Sequence, residues 1–562
     1  MAIALNTVIV DGQEYKPGDV IPDFKSIKCV DTREPRKYQG LSADVSVLND
    51  VIAKYASGGA SCFISDTGEY YEYDRKEKTF KLITNITERG FDSEKAYGAL
   101  KHMLNLKNEV IDTSVKSWLD NHPEATTTVQ DESIEEIKIN KNFLPWIKKD
   151  YVTPKMFGAK GDGITDDTES IQYALNEAEK TGKTVFIPDG NYVIKSLTIP
   201  KAVSIVGENN NFGTSRIGSA FYCTDRNNPA ILMNSYSSIN NIAFYYPNQR
   251  IVNSYAVTYP ETISLTDTEI TTLVKIKNIF LVNAYYGINA TPTHEKMLIE
   301  NVWGYCIVKG LILDGCTDVD MISNVHFNFN TLRTFYDEVV MSQFETQTAN
   351  AGLAFQFGRC DTAFIKNLFA YGYRIGMQLI TSETATNKLP PTYTIFDTIS
   401  MDTCDFPLWV GNCSNIFINN FVGIAKNHND NNDNIIACLY STSGTGLNIS
   451  NSLFTGFGKC ASLNSDETIF NNCVFRNYNR LNKSTDKYAI ESRRGDVCVN
   501  SCTILGSKSR ETGFAHITTG TSFTAIGNII KNLSDTGKLI EVDNDAIITS
   551  GLNTIINSNV IQ

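Results

Sequence analysis

A recurring four-residue pattern, apolar–x–Asn–apolar, restricts the fold of this sequence more than any other feature. Asn278, Asn301 and Asn324 lie 23 residues apart, and Asp397 and Asn420 are also 23 apart. Larger gaps, such as that before Asn367, indicate two turns or one turn plus an insertion. A fixed period of about 20–50 residues is typical of stacked solenoids. Copies of the pattern begin at Ile239, Ile276, Ile299, Ile322, Ile365, Ile418, Phe470 and Ile526, and a variant with Asp begins at Ile395.

The residues of each repeat favour strands over helices, since Ile, Val, Phe and Thr alternate with turn-forming Asn and Ser. Asn tolerates the left-handed conformation that a coil needs at a bend, and its amide can pair with the Asn of the next coil. The alternative, a β-sandwich, would show strands returning every 8–12 residues. The sequence instead predicts an all-β parallel β-helix, without regular helices between its coils.

Charge and cysteine usage exclude several classes of protein. The net charge is −12, which disfavours nucleic acid and anionic membranes as partners. Thirteen cysteines are scattered without zinc-ligand spacing, so we interpret them as reduced core residues made in a cytoplasm. We expect no metal and no cofactor. Neither a signal peptide nor a membrane span is evident.

The N-terminal region differs in texture from the repeats. Residues 66–83 carry a turn signal, alternating polar and aromatic residues and a second short strand, which predicts a hairpin within a β-rich module over 1–88. Apolar residues from Leu100 to Leu119 are spaced by three, four and seven, which predicts a helix in a connector over 89–150. That helix either packs on a neighbour or forms a short oligomer seam.

A cap over 151–195 precedes a β-helix over 196–562. Its motif runs from Thr153 through Gly158-Ala159-Lys160-Gly161-Asp162-Gly163 to Asp166-Asp167-Thr168. A helix follows, with Ile171, Ala174, Leu175 and Ala178 on one face and Thr165 or Asp166 as its N-cap. Val185-Phe186-Ile187-Pro188-Asp189-Gly190-Asn191-Tyr192 comes next. We interpret the acidic cluster Asp162, Asp166 and Asp167 as turn and cap residues.

This block resembles the start of the pectate-lyase-superfamily β-helix of phage tail spikes and neck appendages, and the resemblance covers roughly residues 150–540. It implies a right-handed, single-stranded parallel β-helix, a helical lid over its N-terminal end, and a homotrimer in the virion. Residues 1–88 would then attach to tail or neck proteins. The implied partner is a host cell-surface polysaccharide, which the protein binds and cuts.

Hydrolysis of a glycan needs two carboxyl groups beside the scissile bond. The stretch 401–409 holds Asp402 and Asp405, and stacking would bring Asp361 and Glu338 alongside as further catalytic candidates. Trp409, Tyr371 and Tyr373 are the predicted sugar platform. Asp318 and Asp320 are a second choice of acids. His294, His326 and His516 are interpreted as isolated surface or groove residues.

Three functions remain open at this point. The protein is a hydrolytic depolymerase, a non-catalytic adhesin of the same fold, or a polysaccharide lyase with a Lys, Tyr or Arg base. The residue sets of polygalacturonases and the calcium-binding aspartates of pectate lyases are not found, which disfavours pectin as the substrate.

Overall fold

The computed structural model describes residues 151–209, 218–384, 388–426, 437–518, 520–535, 538–543 and 545–556, and the backbone of eight short strands before them. By its contacts the chain divides into Met1–Ile139 and Asn140–Gln562. No helix in these described ranges is both long and apolar enough to cross a bilayer.

In the first unit, Lys28–Val30, Ser61–Ile64, Glu69–Asp74 and Thr79–Leu82 form an antiparallel sheet in that order. Glu69–Asp74 pairs with Thr79–Leu82, with Tyr71 opposite Leu82, so the predicted hairpin is confirmed. Two further antiparallel pairs join Ala2–Ile3 to Val20–Ile21 and Val8–Val10 to Gln13–Tyr15. The helix predicted over residues 100–119 lies outside the described residues.

The second unit begins with a lid. Helix α1, Thr168–Thr181, buries Ile171, Ala174, Leu175 and Ala178 against the first coils, as the sequence predicts. The predicted N-cap is wrong, because the cap position is Asp167. The Asp167 carboxylate turns back and accepts hydrogen bonds from the backbone N–H groups of Lys160 and Gly161 at 2.6 and 2.8 Å. It therefore fixes the glycine-rich loop.

Beyond the lid, the chain winds through parallel strands that belong to one continuous 34-stranded sheet. From the lid to residue 265 they are Tyr151–Val152, Asp162–Asp166, Thr184–Ile187, Gly190–Ile194, Leu197–Ile199, Ser204–Gly207, Ser219–Cys223, Ile231–Met233, Ser238–Tyr245 and Glu261–Leu265. The central strands are Lys275–Ala290, Leu298–Leu313, Met321–Asn328, Leu353–Phe357, Phe364–Tyr371, Ile375–Leu379, Ile395–Cys404, Phe406–Val410 and Ser414–Ala425.

The C-terminal strands continue the same winding. They are Ala437–Ser441, Thr445–Ser450, Leu453–Thr455, Lys459–Leu463, Glu467–Asn471, Val474–Arg476, Tyr488–Ser492, Asp496–Asn500, Thr503–Leu505, Gly513–Ile517, Ser522–Ile526, Ile529–Lys531, Ile540–Val542, Ile547–Gly551 and Thr554–Ile556. Small side pairs join Ile251–Val252 to Tyr255–Ala256 and Thr271–Thr272 to His294–Glu295.

Each central coil contributes to three faces, which we call A, B and C in chain order. Their inward residues stack in register from coil to coil and are buried. On face A these are Ile239, Ile276, Ile299, Ile322, Ile365, Phe396 and Ile418; on face B, Ile242, Ile279, Val302, Val325, Leu368, Ile399 and Phe421; on face C, Ile263, Ile288, Leu311, Phe355, Met377, Leu408 and Leu439. The second unit forms a right-handed parallel β-helix, as predicted.

The repeated asparagine occupies the bend from face A to face B. Asn278, Asn301, Asn324 and Asn367 all have φ between 51 and 58°. Their amides form a ladder, in which Asn301 donates to Asn278 and Asn324 donates to Asn301, both at 2.9 Å. The left-handed bend and the amide ladder predicted from the repeat are therefore confirmed.

The ladder makes a stability prediction at Asn301. Asn301→Ala removes two hydrogen bonds of the ladder. It also leaves alanine, which is strained in the left-handed region, at the bend. We therefore expect the free energy of unfolding to fall by about 2–3 kcal/mol. Asn301→Gly keeps the bend and should cost about 1 kcal/mol. Denaturant unfolding of the purified variants measures both losses of unfolding free energy. Equal losses for the two variants would contradict the assignment of backbone strain to this bend.

One long gap between repeats is resolved as a single turn with an insertion. Ile322 pairs directly with Ile365, and residues 329–352 leave the solenoid between them. The insertion contains a 3₁₀ helix, Phe329–Thr334, and helix α2, Glu338–Ala351. The expectation of no regular helix between coils is wrong at this position. Further 3₁₀ helices span Pro154–Phe157 and Ser484–Asp486.

The described cysteines are all free thiols, and all of them except Cys498 are buried. Burial raises the pKa of Cys404 to about 12, and the charges of Asp405 and Asp402 add to the shift. The Cys404 thiol therefore remains protonated at neutral pH, and the buried cysteines pack as small apolar residues, as the sequence predicts.

Candidate functional site

The outer surface of face B carries a column of aromatic rings. Trp303, His326 and Phe369 align in register on successive coils. The ring centroids of Trp303 and His326 are 5.3 Å apart, and those of His326 and Phe369 are 4.4 Å apart. Trp303 is 48% exposed, and His326 and Phe369 are half-buried, so the column contributes aromatic surface to solvent. The parallel stacking of coils produces this arrangement, because strands lie about 4.8 Å apart.

A second column lies two residues further along the same strands, where side chains point to the same side. It contains Asn328, Tyr371 and Asp402, which are aligned with one another. The ring of Tyr371 packs on that of Phe329, with centroids 5.4 Å apart. Tyr371 and Asp402 thus border the aromatic column where face B ends.

Helix α2 carries a second carboxylate, that of Glu345, in the insertion that also holds Phe329. Its N-cap, Asp337, accepts a hydrogen bond from the Val340 N–H at 2.9 Å, and Met341, Phe344 and Thr348 are buried. Burial raises the pKa of Tyr371, and the negative charges of Asp402 and Glu345 raise it further. Tyr371 therefore lies within the field of two carboxylates. We call Trp303, His326, Phe369, Tyr371, Asp402 and Glu345 the face-B groove.

His326 is the titratable member of the aromatic column. Burial lowers its pKa, because a charged imidazolium loses hydration between two stacked rings. Its ring is therefore neutral at pH 7 and acts as part of an uncharged platform.

The four predicted catalytic acids do not gather at one point. Asp402 and Asp405 lie at the corner between faces B and C, and their charges both act on the buried Cys404 between them. Asp361 lies at the corner between faces C and A, where it is aligned with Thr392. It pairs there with Arg359 at 2.8 Å. Stacking by one coil brings Tyr371, rather than Asp361, beside Asp402.

Glu338 is exposed on the first turn of α2. Seven residues separate it from Glu345, which corresponds to about 10 Å along a helix. Glu345 is the acid of this helix whose charge acts on Tyr371. The sequence signal for it was the Asp337 cap followed by Val340, Met341, Phe344 and Thr348 at helical spacing.

The three predicted platform residues occupy different environments. Tyr371 is half-buried in the face-B groove. Tyr373 is fully buried, and its hydroxyl donates to the Cys306 carbonyl at 2.6 Å. It cannot stack on a sugar, so this placement contradicts the predicted role. Trp409 is half-buried on the outer side of face C, beside Phe406 and Tyr440.

His294 is neither isolated nor at the surface, contrary to the sequence interpretation. It is 1% exposed, and its Nε2 lies 2.8 Å from a carboxylate oxygen of the buried Asp320. Its Nδ1 donates to the Pro292 carbonyl at 2.7 Å. The other Asp320 oxygen accepts from the Met297 N–H at 2.7 Å. Asp320 therefore holds a turn together, and Asp318 pairs with Lys296 at the surface.

Cys316 completes a buried group with His294 and Asp320, whose potential ligand atoms all lie within 4.8 Å of one another. Parallel stacking places Cys316 opposite His294, one coil later, which is why spacing along the sequence did not reveal the group. The His294 and Asp320 atoms already hydrogen-bond within the protein. We therefore interpret the group as structural.

His516 also has partners. Its ring lies 3.3 Å from an Asp543 oxygen and 3.9 Å from a Glu491 oxygen. Glu491 in turn pairs with the buried Lys459 at 2.8 Å and with Arg493 at 2.8 Å. This network ties together the outer side of face C in the C-terminal coils.

Comparison with known proteins gives a family-model match over part of the chain and short matches to curated proteins. Residues 152–356 match the model described as rhamnogalacturonase A/epimerase, pectate lyase-like. The chain is 46% identical over 56 residues to Depolymerase 1, capsule K30/K69-specific, of Klebsiella phage K5-2, covering 10% of this chain and 7% of that protein. It is 47% identical over 62 residues to alginate lyase 7 of Azotobacter vinelandii, covering 9% and 7%. The chain thus spans under a tenth of the length of these curated relatives.

Among solved structures, pre-mature bacteriophage phi29 gene product 12 has a TM-score of 0.49 at 13% identity, covering 75% of this chain and 58% of that chain. The A-module of a mannuronan C-5 epimerase from Azotobacter vinelandii has a TM-score of 0.45 at 13% identity, covering 72% and 99%. The family match over residues 152–356 and the stacked parallel coils confirm the predicted resemblance to the pectate-lyase-like β-helix.

Proposed function

We propose that this protein is a phage virion appendage that binds a bacterial surface polysaccharide and hydrolyses it in the face-B groove. The observation that carries the proposal is the aromatic column of Trp303, His326 and Phe369 beside the aligned Tyr371 and Asp402. Aromatic rings pack against the apolar faces of sugars, and a few convergent polar groups then fix the orientation.

Two carboxyl groups provide the chemistry of glycoside hydrolysis. One, protonated, donates its proton to the leaving oxygen, and the other acts as nucleophile or activates water. Asp402 and Glu345 are proposed for these roles, with Asp405 as a second acid at the same corner. Asp361 and Glu338 are not proposed again, since neither borders the groove.

The phage context rests on short stretches of similarity. Matches to capsule depolymerases of Klebsiella phages K5-2 and K64-1, 46% and 45% identical over 56 and 58 residues, support a polysaccharide of the host surface as the substrate class. Residues 1–88 are proposed to attach the protein to the tail or neck of the virion, and synthesis in the host cytoplasm suits the free buried thiols.

Tyr371 is disfavoured as the base of a lyase. The tyrosine nearest to the carboxylates has a raised pKa, which keeps its phenol protonated and makes it a poor base. An adhesin of the same fold remains the second candidate, because the aromatic column alone suffices for binding.

The test incubates the full-length protein with capsule and wall polysaccharides extracted from a panel of bacterial strains. Hydrolysis predicts new reducing ends without ultraviolet absorption from unsaturated uronates. Absorption that rises with cleavage would indicate a lyase instead. Binding without cleavage on every glycan that is bound would leave the adhesin.

The homotrimer is proposed from the outer side of face A. Met321, Phe364, Ile395 and Phe417 align on four successive coils and are 40–53% exposed. They form an apolar stripe about 14 Å long. Exposed apolar patches of this kind mark association surfaces. We propose that this stripe packs against the same stripe of two further copies.

Replacing Phe364 and Phe417 together by serine is expected to convert the trimer to monomers, because two of the four stripe side chains lose their apolar surface. Light scattering coupled to size-exclusion chromatography measures the mass. Leu552→Ser, an 89% exposed position away from the stripe, should leave the mass unchanged. A trimer that persists in the double variant would contradict the assignment.

A further inference from the structure

A second group of aromatic rings lies on the outer side of face C. The ring centroids of Trp409 and Phe406 are 5.2 Å apart, and those of Trp409 and Tyr440 are 5.6 Å apart. Phe406 is 6% exposed and packs against the other two rings, while Trp409 and Tyr440 are half-buried. Trp409 and Tyr440 therefore expose apolar ring surface to solvent and are held in place by the buried Phe406.

Unused polar groups surround these rings. Gln356, Gln378, Trp409 and Tyr440 align in one outward column on successive coils. The Gln356 oxygen accepts from the Lys309 ammonium at 3.2 Å. Within the described part of the chain, the Gln378 amide, the Trp409 indole N–H and the Tyr440 hydroxyl have no hydrogen-bond partner in the protein, which leaves them available to sugar hydroxyls. Aromatic faces beside free donors and acceptors suit a carbohydrate better than an apolar partner.

The corner between faces B and C lies between the face-B column and the rings of Trp409 and Tyr440, and short connections form it there. Two adjacent coils cross it by short connections, residues 372–374 and Asp405 alone. The coil before them crosses it by the long insertion 329–352, which contains helix α2. The two short connections form a notch, which we define by Gly372, Thr403 and Asp405. Gly372 and Thr403 take φ of 79 and 53° to make these tight bends.

We infer that the polysaccharide crosses this notch, with sugar units on the face-B column on one side and on Trp409 and Tyr440 on the other, so that cleavage falls at the corner near Asp402. The inference rests on the proposed function and adds a binding mode. The glycan runs along the face-B column and then turns around the coil at Asp402, and the chain is cut internally, since both sides of the scissile bond are held.

The test measures binding of the catalytically impaired full-length Asp402→Asn protein to polysaccharide extracted from a strain that the wild-type protein degrades. Adding Trp409→Ala is expected to weaken binding about tenfold, through loss of one central aromatic contact. In the active protein, the same change should shift the sizes of the released oligosaccharides. Gln378→Ala leaves the ring cluster intact and should weaken binding severalfold. It therefore tests the same surface even if Trp409→Ala disturbs the fold.

Tyr393→Ala is the matched control, because this tyrosine is 58% exposed and lies at the corner between faces C and A, away from the notch. We expect unchanged binding. Trp303→Ala should weaken binding as Trp409→Ala does. If Trp303→Ala weakens binding while Trp409→Ala and Gln378→Ala have no effect, the crossing of the notch is overturned and the face-B groove stands. If the wild-type protein binds none of the extracted polysaccharides, the proposed function falls as well.

Discussion

Asp402→Asn is expected to lower the rate of polysaccharide cleavage by at least about 100-fold while binding is retained. The amide has nearly the shape of the carboxylate but can neither transfer a proton nor act as a nucleophile, and such groups contribute about 10²–10⁴-fold to catalysis. Reducing-end release measures the rate, and adsorption of the protein to cells measures binding. Glu345→Gln should show the same separation of activity from binding.

Asp361→Asn is the control for this prediction. Asp361 has the same chemistry and lies in the neighbouring coil, but it is paired with Arg359 at the corner between faces C and A. Its replacement should leave cleavage within about twofold of the wild type, as expected for a change away from the groove. If Asp361→Asn abolishes cleavage and Asp402→Asn does not, the groove has been placed on the wrong side of the β-helix.

Asp320→Ala is expected to destabilise the β-helix by about 2–5 kcal/mol, because each buried polar group left without its hydrogen-bond partner costs about 1–3 kcal/mol. The change leaves the buried His294 Nε2 and the Met297 N–H without their acceptor. Thermal or denaturant unfolding of the purified protein measures the loss.

Asp318→Ala provides the matched control two residues away. Asp318 is half-exposed and pairs with Lys296 in solvent, where an ion pair contributes less than about 1 kcal/mol. Similar losses for the two variants would mean that the hydrogen bonds of the buried pair do not matter. The comparison also separates two acids that the sequence alone could not rank.

The solenoid was predictable because its rules are local and repeated. Asn278, Asn301 and Asn324 recur at the period of one coil, and each occupies a left-handed bend. The α1 lid was predictable for a similar reason, since its four buried residues follow helical spacing. Its N-cap was missed because Asp167 turns its carboxylate back toward the loop.

The site was only partly predictable, because side chains that meet across coils are set by register and not by spacing. The register decides whether Asp402 lies beside Tyr371 or beside Asp361, ten residues earlier in the chain, and the pairing of Phe364 with Ile395 gives the former. The aromatic column of Trp303, His326 and Phe369 required three registers to be known together. Glu345 required the insertion to be recognised as a helix.

The most direct measurement is a structure of the Asp402→Asn protein with an oligosaccharide prepared from a polysaccharide that the wild-type protein cleaves. We expect sugar rings against Trp303, His326 and Phe369, and a glycosidic oxygen within about 3 Å of the residue 402 side chain, the reach needed for proton transfer. Sugar bound at another part of the β-helix, with the face-B groove empty, would contradict the account.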